Sequence, residues 1–468
     1  MSYSALTPEI ILQFKKIVGD GFVLLDNESL TNYSHDETED LKFFPEVVIK
    51  PRLAEEISEI LKICNEHKIA LTPRGAGTGL SGAALPVCKG VILSMERFNT
   101  IIEIDERNLQ ATVEPGVINE VFQEAVKEKG LFYPPDPASK GSCFLGGNLA
   151  MSSGGPKAVK YGVTKEYVLN LEVVLPTGEI IWTGANVLKN STGYNLTQLM
   201  VGSEGTLGVI TKIVFKLIPY PKHNLVMLVP FTSYEKACEA VSAVFRQGIT
   251  PSAMEFMERD AIDWSLKFNE GTNIVVPDAI LAHLLVEVDG NDLDTLFKDC
   301  EKISEVMQGF DCDEILFAET TEQKENLWRL RRKVAEAVRA NSVYKEEDTV
   351  VPRAELPKLI VGVKQIGEKY GFKSVCYGHA GDGNLHMNII KGELSQDFWE
   401  NEIQKGIREI FQLCKKLGGT ISGEHGIGWV QKEYIDIVFS KKTIELQKGI
   451  KNVFDPNNIL NPNKIFPS

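Results

Sequence analysis

A chain of 468 residues exceeds what one hydrophobic core usually supports, so two or three packed units are expected. Its 43% hydrophobic and 24% charged residues, with no low-complexity tract, are those of an ordinary globular protein. A net charge of -14 excludes nucleic acid as a partner class, because such a surface repels phosphates.

The first predicted element is a helix, with Thr7 as N-cap and Pro8 at its first position. Ile10-Ile11-Leu12 is broken at once by Gln13 and Lys15-Lys16, so no secretory leader is read here. No apolar run approaches the roughly 20 residues that span a bilayer. The expectation is a soluble, cytoplasmic protein. Eight cysteines lie scattered with no C-x-x-C pair, which excludes an iron–sulfur cluster or zinc ribbon; all eight are read as small buried hydrophobes.

Pro45–Lys50 reads as a strand, and Ala54–His67 as a helix carrying Ile57, Ile60, Leu61 and Cys64 on one face. A strand at Ile69–Thr72 runs into Arg74-Gly75-Ala76-Gly77-Thr78-Gly79-Leu80-Ser81-Gly82. Without Cβ atoms in the way, successive N–H groups of such a stretch can turn toward one anion, although an ordinary flexible loop has the same composition. The glycines alternate and lead into no clear helix, so the G-x-G-x-x-G start of an NAD-binding helix is disfavoured. Two strands follow near Ile101–Ile104 and Ala111–Glu114, then a helix around Val121, Phe122, Ala125 and Val126. Pro134–Pro137 then leads into further loops dense in Gly, Ser and Asn: Gly146-Gly147-Asn148, Ser152–Gly155 and Val201–Gly208. Between the last two, Val173–Ile181 is a hairpin turning at Pro176-Thr177-Gly178. Together these loops imply extended backbone contact with a large polar ligand.

Past Pro219-Tyr220-Pro221 the glycine-rich loops thin out. Strands at Leu225–Phe231, Ala253–Met257, Leu281–Val288 and Glu314–Ala318, with helices from Tyr234 and Leu293, make a β-α-β-β-α-β layout. That layout suits an antiparallel sheet covered by helices on one face. The expected division is 1–220, 221–417 and a last segment, 418–468, that packs back on the first.

Three of the seven histidines fall in two glycine-rich motifs. In His379-Ala380-Gly381-Asp382-Gly383-Asn384-Leu385-His386-Met387-Asn388, a turn at Gly381–Asn384 can bring two imidazoles to one point that a single straight strand would hold apart. Beyond the turn, His386 and Asn388 share a face. Ser422-Gly423-Glu424-His425-Gly426 sets a carboxylate beside the third histidine. Singly each histidine reads as structural; grouped, two His and one Glu make an open site for zinc, or for iron or manganese. Arg329, Arg331 and Arg332 lie in a predicted helix, where arginines are usually solvated charges.

The stretch Pro73–Gly82 resembles the pyrophosphate loop of the vanillyl-alcohol oxidase-type FAD family. Gly146-Gly147-Asn148…Gly154-Gly155, Gly202–Ile210 and Asp455-Pro456…Asn461-Pro462 resemble its later segments, and the likeness runs from about residue 40 to the end. Order and spacing are similar to the FAD subunit of glycolate oxidase, to D-lactate dehydrogenases and to D-2-hydroxyglutarate dehydrogenase. The resemblance implies an α+β protein: a vanillyl-alcohol oxidase-type FAD-binding domain plus an antiparallel-sheet, helix-covered cap domain for substrate. It implies FAD contacts at Arg74, Gly75, Ala76, Gly77, Thr78, Gly79, Ser81, Gly82, Pro137, Gly146, Gly147, Asn148, Ser152, Gly155, Glu204, Gly208, Ile210 and Asn461. No histidine lies between His67 and His223, so the family's tethering positions are empty and FAD is expected to be non-covalent. The resemblance further implies a divalent metal on His379, His386 and Glu424, with His425 as base and Arg331, Lys345 and Asn388 binding substrate.

Where the 2-hydroxyglutarate enzymes carry a threonine four residues after that arginine, this chain has Ala335, which favours D-lactate or glycolate over a second carboxylate. One flavin with no further redox centre implies an outside acceptor, for which an electron-transferring flavoprotein suits an acidic chain without a membrane anchor. The competing readings are a flavin subunit that only relays electrons, an NAD dehydrogenase and a zinc hydrolase.

Overall fold

The computed structural model describes residues 3–268 and 274–467, and the chain divides into two compact units. The first comprises Met1–Gly154, Val163–Tyr220 and Glu424–Ser468; the second comprises Gly155–Gly162 and Pro221–Gly423.

In the first unit, helix Pro8–Val18 starts where the Thr7 hydroxyl accepts from the Ile10 N–H, as the sequence predicts. A four-stranded sheet has the order Val23–Leu24, Val47–Ile49, Val91–Ser94, Leu71–Arg74, its last three strands parallel. Parallel strands are normally buried on both faces, and Val47–Ile49 and Val91–Ser94 are buried throughout. Helix Ala54–His67 adds Ile57, Ile60 and Leu61 to their core. The strand expected from Ile69 begins only at Leu71. Lys68 ends the helix in a left-handed conformation (φ 54°), and Ile69 donates back to the Cys64 carbonyl, so Ile69 is spent on the cap. The chain's end closes this sheet: Leu71 N–H meets Ile459 O at 2.8 Å, and Asn461 N–H meets Leu71 O at 2.7 Å.

A five-stranded antiparallel sheet follows, ordered Ile101–Asp105, Gln110–Val113, Val209–Lys216, Val168–Val174, Ile180–Trp182. The last two strands are the predicted hairpin. One loop is corrected: Gly146-Gly147-Asn148 lies inside helix Leu145–Met151. Glycine is needed there for packing, since a Cβ on Gly146 would sit 2.4 Å from Pro115 Cβ.

The second unit is built on a seven-stranded antiparallel sheet. Its order is Leu316–Ala318, His223–Phe231, Ala282–Gly290, Ala253–Glu258, Lys373–His379, Asn384–Ile390, Tyr344–Val350. Helices cover both faces rather than one. Leu356–Tyr370 lies on the side of Glu258 and Ser374, which Lys364 reaches. Arg259–Phe268, Thr321–Arg332 and Val334–Asn341 lie on the other, where Ala261, Ile262, Leu327, Val334 and Val338 join Ala253, Met257, Leu285 and Val375 in one apolar cluster. Arg259–Phe268, Val334–Asn341 and Leu356–Tyr370 are absent from the sequence layout. The join to the first unit falls at Gly423/Glu424, not at 417/418, because Val350 and Thr420 pair as strands do and Asp348 accepts from Ser422 Oγ and Gly423 N.

Among the described residues no helix is long and apolar enough to cross a membrane. Six of the eight cysteines are buried, but Cys88 and Cys312 are partly exposed, which corrects the uniform reading. The polar setting of Cys88 is visible in its thiol, which accepts from Asn463 Nδ2 at 3.2 Å.

Candidate active site

In the first unit the glycine-rich stretch leaves strand Leu71–Arg74 and forms turns, with no helix after it. Arg74 folds back beneath it: Gly77 has a positive φ (+75°), and a Cβ there would lie 2.2 Å from Arg74 Nη2, so the guanidinium would have to move. That guanidinium is buried, which pulls its pKa down, and Nη2 donates to the His35 carbonyl at 2.7 Å. Gly75 packs against Gly147 of helix Leu145–Met151. Within that helix Asn148 donates to Asn119 at 3.1 Å. Gly208 precedes strand Val209–Lys216, and a Cβ on it would strike Val173 Cγ1 at 2.3 Å. Ile210 sits in that strand opposite Val173.

Glu204 and Asn461 tie these stretches together. Asn461 Nδ2 donates to Ala83 O at 2.9 Å and Glu204 O at 2.8 Å. The Glu204 carboxylate accepts from Ile427 N at 2.8 Å and Gly428 N at 2.7 Å, so it grips the loop carrying Glu424 and His425. Burial pushes the Glu204 carboxyl up to about 7, against the pull of those two N–H groups. The same loop meets the glycine stretch directly, with Trp429 N–H on Ser81 O at 2.8 Å, and Glu424 accepts from Gly154 N at 3.2 Å.

Five stretches distant in sequence thus converge in one unit. Ala76, Thr78 and Gly79 lie along the turns, partly exposed, and Gly82 donates to Thr38. Pro137 is partly exposed in a turn farther along. Gly155 begins the short segment that belongs to the second unit. Arg74 Nη1, Ser81 Oγ and Ser152 Oγ are buried with no hydrogen-bond partner. Buried polar atoms are normally satisfied, so three such atoms in these stretches fit a large polar ligand.

The second unit holds the paired imidazoles. Strands Lys373–His379 and Asn384–Ile390 are joined by a tight turn in which Gly383 is left-handed (φ +87°) and faces Val351 O so closely that a Cβ would sit 1.9 Å away. Tyr377 pairs with His386 and His379 with Asn384, which makes the two histidines diagonal neighbours on one face. Their ring centroids are 5.4 Å apart and their nitrogens approach within 4.8 Å. Leu385, Met387 and Ile389 fill the opposite face, as strand alternation predicts.

Carboxylates surround the imidazoles. Glu255, on strand Ala253–Glu258, lies 2.9 Å from His379 Nδ1 through either oxygen and 2.8 Å from Arg331 Nη2. Glu346 lies 3.2 Å from His386 Nδ1, and Asp348 pairs with His386 across the ladder. Two imidazoles, one guanidinium and three carboxylates leave an excess of negative charge on nitrogen and oxygen donors, which fits a divalent cation. Arg331 is buried, its Nε has no hydrogen-bond partner, and neither has Asn388 Oδ1.

One predicted site residue is corrected. Lys345 pairs with Ile389, so alternation turns it to the other face, where it lies 5.1 Å over the Trp399 ring. Its neighbour Glu346, paired with Asn388, faces the histidines instead. Glu255, Glu346 and Asp348 were missed in the sequence. The signal for Glu255 was a lone carboxylate between Ala253 and Met257 on a strand's apolar face.

Residues 45–184 match the family described as FAD binding domain, and residues 220–465 match FAD linked oxidases, C-terminal domain. The chain belongs to the FAD-linked oxidases. Within them it falls among the D-lactate dehydrogenase and glycolate oxidase FAD-subunit proteins. It is 40% identical to glycolate oxidase subunit GlcD of Bacillus subtilis (strain 168), over 93% of this chain and 92% of that protein. It is 38% identical to D-lactate dehydrogenase of Anaerostipes hadrus (99% and 98% covered). It is 34% identical to D-2-hydroxyglutarate dehydrogenase of Stutzerimonas stutzeri (98% and 99%). A solved structure of p-cresol methylhydroxylase with substrate bound superposes with a TM-score of 0.81 at 19% identity, over 99% of this chain and 98% of that one. The FAD-linked oxidase has the vanillyl-alcohol oxidase-type fold and is an FAD-dependent oxidoreductase.

Proposed function

We propose that this oxidase converts a small D-2-hydroxy acid, D-lactate, to the 2-oxo acid at a metal-assisted site. The observation that carries the reading is the pairing of His379 and His386 on the same face as a buried, incompletely bonded Arg331. A guanidinium in a dry setting suits a carboxylate, with two N–H groups meeting two oxygens. Asn388, with an unspent amide oxygen, stands on the same face and is a further substrate contact. FAD, held non-covalently by the glycine-rich stretches, supplies the electron acceptor that no side chain offers. A divalent cation on His379 and His386 supplies the Lewis acid that lowers the hydroxyl pKa. Glu424 as third ligand and His425 as the base that takes the hydroxyl proton rest on the Ser-Gly-Glu-His-Gly motif and on residue type.

Ala335 supports lactate over a diacid. It packs against the apolar cluster of the second unit and offers no hydroxyl for a second carboxylate. Electrons leave, on this reading, to an electron-transferring flavoprotein.

Metal removal tests the site. Chelation, or His379→Ala, is expected to abolish most D-lactate turnover, and a divalent cation should restore the chelated wild type. Metal-free enzyme, verified by elemental analysis and turning over at its original rate, would refute the metal's role.

A further inference from the structure

We propose that Glu255 is a positioning residue whose one carboxylate fixes both the metal-facing tautomer of His379 and the orientation of Arg331. The inference rests on the reading of His379 as a metal ligand and of Arg331 as the substrate clamp.

The geometry starts from strand register. Phe256 pairs with Gly378 and Met257 with Tyr377, so the same ladder carried one step further sets Glu255 beside His379. Both side chains stand on the face that holds His386 and Asn388. Glu255 is wholly buried at 0% exposure, in the interior of a seven-stranded sheet, where neither strand can drift. A carboxylate only accepts hydrogen bonds, so at 2.9 Å the Nδ1 of His379 must be the donor. The proton being on Nδ1, the lone pair of the neutral ring is on Nε2, the atom that can bind a metal. Away from water the alternative tautomer would set two acceptors against each other, a costly arrangement.

The same carboxylate neutralises Arg331. Nη2 at 2.8 Å holds one arm of the fork, and the Arg331 Cζ lies 5.2 Å over the Tyr377 ring. These two contacts set the plane of the guanidinium and leave its Nε unbonded. Glu255 therefore spaces the ligand of the metal and the clamp of the substrate from one rigid point. Partners of this kind behind a metal-bound imidazole typically change metal affinity by about 10–100-fold when lost.

Glu255→Gln separates this role from packing. Its shape is nearly unchanged, but its single oxygen can accept from His379 or from Arg331, and its amide then opposes the other donor. The FAD-loaded, chelator-stripped full chain is titrated with Mn2+, bound and free ion being read by electron paramagnetic resonance. The expected result is Mn2+ binding weakened by about 10–100-fold, with KM for D-lactate raised at saturating Mn2+, while FAD content and unfolding midpoint stay near wild type. Glu255→Asp keeps the charge at shorter reach and should recover part of the Mn2+ affinity; it also carries the test if the glutamine variant does not fold, by binding Mn2+ more weakly than wild type. Wild-type affinity and KM in a folded variant overturn the inference alone. Wild-type protein that takes up no Mn2+ overturns the metal reading and this inference with it.

Discussion

Replacing His425 by alanine is expected to slow anaerobic flavin reduction by D-lactate by about 10²-fold or more, the usual effect of losing a positioned base. FAD content should not follow. The loop around His425 is held by its backbone: Ile427 and Gly428 donate to Glu204, and Trp429 and Val430 donate to Ser81 O. None of these bonds uses the imidazole, so its removal leaves the contact between the Glu-His loop and the glycine-rich stretch in place. Stopped-flow absorbance of the oxidised flavin gives the rate, and the spectrum of the purified variant gives FAD occupancy. Unchanged reduction kinetics would remove His425 from the chemistry. Lost FAD would instead make it a residue of the cofactor site.

Arg331→Ala is expected to raise KM for D-lactate by about tenfold to a hundredfold, the equivalent of a charge-assisted hydrogen bond worth about 1.5–3 kcal/mol. Arg332→Ala should change it little, since that guanidinium lies 5.2 Å over the Trp328 ring. The alanine variant carries a second cost. It leaves Glu255 buried without its cation, a change of about 3–5 kcal/mol where such pairs are broken. Arg331→Lys therefore belongs in the same series: it keeps the charge but not the fork, and should bind substrate poorly while unfolding closer to wild type. Steady-state kinetics and thermal unfolding read the two effects separately. Equal KM changes at positions 331 and 332 would mean that the helix presents another face to the substrate.

The glycine-rich stretches, the hairpin turn at Gly381–Asn384 and the alternation of His386 and Asn388 were legible because each depends on local rules. Gly383 must take a positive φ, and strand period two separates His386 from Leu385 whatever surrounds them. The errors came where tertiary packing decides. Gly146-Gly147-Asn148 has loop composition, yet it lies in a helix turn, and the glycine at 146 answers to Pro115, which leaves no room for a side chain. Arg259–Phe268 was hidden by its short apolar face, only Ala261, Ile262 and Ser265 being buried. Tyr344–Val350 reads as a charged run, and its pairing with Asn384–Ile390 is what turns Glu346 inward and Lys345 away. Register between strands far apart in sequence is not written in either strand alone. Glu255 was missed for the same reason, since its partners lie 76 and 124 positions away.

This FAD-linked oxidase is expected to reduce its flavin with a D-2-hydroxy acid. Anaerobic titration of the purified holoenzyme with D-lactate, L-lactate, glycolate, malate and 2-hydroxyglutarate, followed by the visible flavin spectrum, tests it most directly. D-Lactate should bleach the flavin rapidly and stoichiometrically, with L-lactate leaving it oxidised and D-2-hydroxyglutarate reducing it far more slowly. A flavin that stays oxidised with every D-hydroxy acid, or that L-lactate reduces faster than D-lactate, would contradict the account.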